Sequence, residues 1–218
     1  MYFIYGSLEK EYLKKQDKIL GAAIEQIGDI KRKVEGDLFT SVINNIVGQQ
    51  ISTAAHKTVW MRINQYLGAI NVNTIINCNR ESLQQCGLTY RKTDYIIDFA
   101  KKVYDGSFDI NKLYSLDDAG VIKELVSLRG IGIWTAEMIM IFCMQRTNVL
   151  SFGDLAIHRG MRMLYGIAKI DKAIFNYYQE LYSPYKTTAS LYLWSIAGGA
   201  IPELEDPQIV INNKKKTE

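Results

Sequence analysis

The stretch L-V-S-L-R-G-I-G-I-W-T-A-E, Leu125 to Glu137, constrains this chain more than any other. Ahead of it, Val121, Ile122, Leu125, Val126 and Leu128 fall at the spacing of an amphipathic helix. Asp117 or Asp118 is its N-cap. Gly130 and Gly132 then bracket Ile131. Glycine admits positive φ and the close approach of another backbone, and Ile131 packs inward to brace the turn. From Ile133 to Met144 the chain is almost wholly apolar, so a second, buried helix follows. The segment 118–145 therefore reads as helix, hairpin, helix. Backbone N–H groups at the head of the second helix, with no side chains in the way, suit a phosphate oxygen. A plain glycine turn between two core helices is the competing reading of G-x-G alone. The flanking L-x-x-L and the Thr135-Ala136 pair narrow it, and Gly130, Ile131, Gly132 and Thr135 become candidate contacts to a nucleic-acid backbone.

Helical spacing recurs along the chain. Leu38, Phe39, Val42, Ile43, Ile46 and Val47 mark one helix capped by Asp37. Val59, Ile63, Tyr66 and Leu67 mark the next, and Tyr95, Ile96, Phe99, Ala100 and Val103 another. Ser183-Pro184 reads as a cap and first-turn pair for a last long helix. The expected fold is all-α. Met1 to Gly6 forms a short strand at most.

Downstream of the hairpin an isolated acidic residue, Asp154, stands in S-F-G-D-L-A-I-H-R-G. A buried carboxylate in such a place can stabilise an oxocarbenium-like sugar or polarise an attacking water. A structural role as N-cap of the following helix is the competing reading, and the two are compatible.

With these pieces, the chain resembles the helix-hairpin-helix (HhH-GPD) DNA glycosylase superfamily, and within it the 3-methyladenine DNA glycosylase II branch. The likeness runs from about Asp37 to about Gly199. It includes I-V-G-Q-Q-I-S (46–52), C-G-L-T-Y-R-K (86–92) and the segment from Pro184 ending in L-Y-L-W. The resemblance implies two helical lobes, 37–150 and 1–36 plus 151–218, with a DNA-binding cleft between them. It implies an enzyme that flips a damaged nucleotide from duplex DNA and hydrolyses its N-glycosidic bond. Asp154 matches the family's catalytic aspartate; the acidic residue that often precedes it is here Gly153.

Members that also cut the strand carry a lysine two residues past the second hairpin glycine, which forms a Schiff base with the sugar. Trp134 stands there, so the expectation is a monofunctional enzyme that uses water. An alkylated purine is already cationic and leaves without a second carboxyl group. The substrates expected are 3-methyladenine and 7-methylguanine types. Deaminated or etheno bases, or a non-catalytic DNA-binding module, are the alternatives.

Trp134, Trp194, Tyr192 and Met138 are the base-pocket candidates, with core packing the competing reading for each and the favoured one for Tyr192. Indole faces attract a cationic base. Leu88 or Tyr90 supplies the wedge that fills the gap left by the flipped nucleotide. Gln49 and Gln50 are candidates for DNA contact, with a polar helix end beside Ser52 as the alternative. Arg91, Lys92, Arg129, Arg146, Arg159 and Arg162 cluster around these motifs and would neutralise phosphates. By the same resemblance, the backbone carbonyls of Val126, Leu128 and Ile131 would hold a structural monovalent cation, Na+ or K+.

A net charge of +3 says little by itself about nucleic acid. Three cysteines, Cys78, Cys86 and Cys143, without regular spacing argue against a disulfide framework and suit a reducing compartment. No cysteine follows Cys143, so the four-cysteine iron–sulfur cluster of some relatives is not expected. His56 and His158 offer no zinc site. His158 is placed near the DNA or at a helix cap. With no signal segment or membrane-length apolar run, a cytoplasmic monomer acting on damaged double-stranded DNA is expected, nucleoid-associated in a prokaryote. The lysines at 214–216 read as a disordered tail.

Overall fold

The structure, a computed structural model, describes residues 1–209; the lysine tail at 214–216 lies outside them. Among the described residues the fold is all-α, as expected, and the one sheet-like feature is an isolated antiparallel bridge between Tyr2 and Lys33. The chain forms two compact units, one of residues 35–144 and one of residues 1–34 with the chain from 145 onward.

The 35–144 unit holds α3 (Leu38–Gly48), α4 (Thr53–Leu67), α5 (Val72–Ile76), α6 (Arg80–Gln85), α7 (Tyr90–Tyr104), a 3-10 turn (Asn111–Ser115), α8 (Asp118–Val126) and α9 (Ile133–Phe142). Almost every helix starts on a side-chain cap. Asp37 accepts from Thr40 N at 2.7 Å, Ser52 from Ala55 N at 3.2 Å, and Asp117, the first of the two candidates, from Gly120 N at 2.8 Å. Each such cap contributes about 1 kcal/mol. The periodic residues of α3 are all buried, as are Ile96, Phe99 and Ala100 of α7, while Tyr95 and Val103 are half-buried; Phe39 stacks on Phe99 with ring centroids 5.1 Å apart.

The other unit holds α1 (Ser7–Gln16), α2 (Lys18–Ile27), α10 (Leu155–Tyr165), α11 (Lys172–Tyr182) and α12 (Lys186–Ala197). Its core gathers Leu13, Leu20, Ile157, Met161, Phe175, Tyr192, Leu193 and Ile196. Asp17 caps α2 and also receives the hydroxyls of Tyr165 (2.5 Å) and Tyr182 (3.0 Å). Burial and the Asp17 carboxylate push both hydroxyls far above their ordinary range.

Two sequence expectations shift here. Residues 145–150 group with the 1–34 unit because α12 claims them: Thr187 N donates to Thr147 O at 2.9 Å and Ser190 Oγ to Val149 O at 3.0 Å. Ser183 closes α11 instead of opening α12, whose N-cap is Tyr185.

Candidate functional site: a capped aspartate and a hairpin groove

Asp154 sits at the N-cap of α10 and is 7% exposed. Its Oδ1 accepts from Ala156 N and Ile157 N, each at 2.9 Å, and from Trp194 Nε1 at 3.2 Å. The first two bonds are ordinary capping geometry, and a helix N-terminus favours negative charge. The third arrives from α12, forty residues away in sequence. Capping and a candidate catalytic role thus coincide in one carboxylate.

The loop that presents Asp154 is braced from behind. His158 Nε2 lies 2.8 Å from the Phe152 carbonyl oxygen, and its ring stacks on Phe175 with centroids 5.4 Å apart. Phe152 meets both rings edge-on, and Lys172 Nζ sits 4.2 Å from the Phe152 centroid. Gln179 Nε2 ties down the Leu150 carbonyl at 2.9 Å.

In the other unit, the two hairpin glycines do different things. Gly130 has φ +87°, and a Cβ there would lie 2.3 Å from the Tyr95 ring. Gly132 has φ −95°, serves as N-cap of α9 without a side-chain cap bond, and faces open space. Ile131 is buried and braces the turn. Gln49 Nε2 donates to the Gly130 carbonyl at 2.7 Å, which fixes the hairpin to the end of α3. Gln49, Gln50, Ile51, Thr89, Arg91, Lys92, Tyr95 and Gly130 line a groove of about 410 Å3. The I-V-G-Q-Q-I-S and C-G-L-T-Y-R-K segments and the hairpin, far apart in sequence, therefore meet in one place. Gln50 is held there at φ +55°, a conformation that a non-glycine residue adopts at some cost and that concentrates at functional sites.

The match to a known family is extensive. Residues 43–185 fit the family described as HhH-GPD superfamily base excision DNA repair protein. The chain belongs to that superfamily. A solved DNA-3-methyladenine glycosidase from Bacillus halodurans is 33% identical, with a TM-score of 0.86 over 97% of this chain and 99% of that one. DNA-3-methyladenine glycosylase 1 of Schizosaccharomyces pombe is 27% identical over 72% of this chain and 71% of its own length. The Schizosaccharomyces pombe 3-methyladenine glycosylase solved in complex with abasic DNA has a TM-score of 0.74 at 24% identity over 87% of this chain and 96% of that one, a likeness of fold. The enzyme class expected from the sequence, a DNA glycosylase, is the one these relatives carry.

The structure divides the site candidates of this HhH-GPD chain. Tyr192 is fully buried and donates its hydroxyl to Gly28 O at 3.0 Å, so it is a core residue. Leu88 is 4% exposed and packs inside, whereas Tyr90 is 52% exposed at the start of α7. Of the two wedge candidates, only Tyr90 is exposed. The Arg80 guanidinium lies 4.8 Å from its ring centroid. Met138 and Thr135 are buried in α9, while Trp134 at its head is 46% exposed.

The basic residues also divide. Lys92 Nζ donates to the carbonyls of Val47 (2.8 Å) and Gln49 (2.6 Å), closing the end of α3, and burial lowers its pKa. Arg162 makes a two-pronged pair with Asp206, at 2.8 and 2.6 Å. Neither is arranged as a phosphate contact. Arg91 and Arg129 flank the Tyr95 ring at 5.5 and 5.3 Å, and Arg159 is exposed on α10.

No group of three or more metal-ligating side chains occurs among the described residues, and the three cysteines are free. Burial pushes the Cys143 thiol up to about 11. Of the three carbonyls considered for a monovalent cation, that of Leu128 already accepts the Ile131 N–H at 3.1 Å. Among the described residues no helix is long and apolar enough to cross a membrane. Nothing local in the sequence marks Gln49 as hairpin anchor or Tyr95 as the ring beneath Gly130. Gly160 of α10, where a Cβ would lie 2.1 Å from the Leu193 carbonyl of α12, does carry a signal: a glycine within a helical pattern often marks close packing.

Proposed function

We propose that this chain is a monofunctional DNA glycosylase that excises alkylated purines of the 3-methyladenine and 7-methylguanine type from duplex DNA. The observation that carries the reading is the buried Asp154 carboxylate, oriented by three N–H donors at the head of α10. The bond between the sugar C1′ and the base nitrogen breaks, and its electron pair leaves with the base. An alkylated purine carries a positive charge beforehand, so it departs neutral. Positive charge then grows on the sugar, and the Asp154 carboxylate stabilises it. Water adds at C1′ and gives its proton to solvent or to the carboxylate, leaving an abasic site. Trp134, in the place where a lysine would form a Schiff base, has no amine to attack C1′.

The hairpin and the groove beside it supply the grip. Gly132 gives a DNA phosphate open access to the first turn of α9. Gln50, Tyr90, Arg91 and Arg129 extend the same surface, and Tyr90 is the wedge. A monovalent cation on the Val126, Leu128 and Ile131 carbonyls would join hairpin to phosphate; the Leu128 oxygen keeps a second lone pair beside its bond to Ile131 N. The protein acts as a monomer.

The test is release of free base from methylated duplex DNA by the natural chain and by Asp154→Asn, with the product strand probed by hot alkali. Release of methylated purine, lost in the variant and accompanied by strand breaks only after alkali, is the expected result. Breaks without alkali, or undiminished release by the variant, would overturn the proposal. Release of a deaminated or etheno base in place of a methylated one would move the substrate class.

A further inference from the structure

We infer that Trp194 is a positioning residue for Asp154, acting through its indole N–H and not chiefly as a surface on which the base stacks. The inference rests on the reading of Asp154 as the catalytic carboxylate and adds to it a second residue with a stated task.

A carboxylate that caps a helix is held by that helix's own backbone alone. Such bonds move with α10 and do not relate the carboxylate to anything else. The Trp194 bond comes from a different element. Three N–H donors on Oδ1 use up what one carboxylate oxygen can accept. Rotating the group about its Cβ–Cγ bond would break all three together. The direction in which the carboxylate meets a reacting sugar or water is then fixed by two helices. Indole nitrogen suits the task because it only donates: it cannot offer a lone pair that would compete for a proton on the carboxylate.

The framework around Trp194 is built for a fixed position. Its neighbour Leu193 sets its carbonyl against Gly160 of α10, so closely that a Cβ at 160 would lie 2.1 Å from that oxygen. Thr187 and Ser190, earlier on α12, bond to the 146–149 segment that leads into the Asp154 loop: Thr187 Oγ1 donates to Arg146 O at 2.6 Å and accepts from Val149 N at 3.0 Å. The helix bearing Trp194 is therefore tied both to the strand of chain entering the site and to the helix leaving it. A ring needed only as an apolar face has no need of that registration.

The decisive replacement is β-(3-benzothienyl)alanine at position 194, whose sulfur takes the place of the indole N–H with the ring face kept. Single-turnover excision of a methylated purine and binding to an abasic-site duplex are measured for this variant, for Trp194→Phe and for Asp154→Asn. The benzothienyl variant is expected to lose about ten-fold or more in the excision rate with duplex affinity unchanged, the pattern of a lost transition-state interaction. Trp194→Phe should show the same split and stands in if the first variant fails to fold. A full excision rate in the benzothienyl variant, with Asp154→Asn inactive, would overturn this inference and leave the reading of Asp154 standing. A fully active Asp154→Asn would remove that reading, and this inference with it.

Discussion

Gly160 and Leu193 bring α10 and α12 into backbone contact: the space where a Cβ would stand at 160 is occupied by the Leu193 carbonyl, 2.1 Å away. Gly160 lies in α10, the helix that Asp154 caps, and Leu193 is the residue before Trp194 in α12. Gly160→Ala must push the helices apart, because the obstacle is backbone and cannot rotate away. The variant is expected to lose about 1–3 kcal/mol of stability, the range for overpacking. It should also lose base release beyond what the population of unfolded protein explains. Urea unfolding and single-turnover excision under native conditions check this. An alanine variant as stable and as fast as the natural chain would mean that the crossing is softer than drawn.

The two hairpin glycines separate fold from grip. Gly130 has positive φ and lies under the Tyr95 ring, so Gly130→Ala should destabilise the 35–144 unit and displace Tyr95. Gly132 has ordinary φ and open space. Gly132→Ala should cost less stability than Gly130→Ala, no more than the small loss of an alanine at an N-cap, and should weaken duplex binding, since its Cβ would stand where a phosphate approaches. Equal loss of stability in both variants would contradict the division of labour.

How far the sequence foretold this can be judged from the same residues. Helices were legible because the periodic apolar positions of α3, and Ile96, Phe99 and Ala100 of α7, are buried and because Asp37 and Asp117 cap as their type predicts. Asp154 was legible by its context. What remained hidden were bonds whose partners lie far apart in sequence. Nothing local marks Trp194 as the donor to a residue forty positions earlier, or Gln49 as the anchor of Gly130. The basic residues misled for the same reason. Lys92 and Arg162 carry the charge that a phosphate wants, but carbonyls and a carboxylate within the fold reach them first. Charge can be read from sequence, whereas prior occupation cannot.

Leu88 and Tyr90 sit two residues apart and should respond in opposite ways. Leu88→Ala removes a buried side chain and is expected to cost about 2–5 kcal/mol of stability. Tyr90→Ala removes a half-exposed ring, so stability should hold within about 0.5 kcal/mol. Its excision rate should fall with the loss of the wedge. Urea unfolding and the excision assay, run on both, decide it. Full excision by Tyr90→Ala would return the wedge to another residue of the groove.

The Arg162–Asp206 pair makes stability depend on acid. The Arg162 hydrogen bond, with Gln208 N beside it, outweighs burial and holds the Asp206 carboxyl below the usual carboxylate range. In the unfolded chain an aspartate titrates near about 3.9. Below that value the unfolded chain binds a proton that the folded state still refuses, so stability falls as pH falls. The pair's contribution is complete above the unfolded pKa and is lost as pH drops through the depressed folded one. Asp206→Asn removes the titrating group and leaves a largely buried guanidinium, its side chain only 15% exposed, without its counter-charge and with one carbonyl oxygen in place of two acceptors. The variant should therefore be less stable at neutral pH and show a shallower decline toward about pH 3. Urea midpoints measured across that range for both proteins give the comparison. Parallel declines would show that the acid sensitivity lies elsewhere, and equal neutral-pH stability would show that the guanidinium finds another partner.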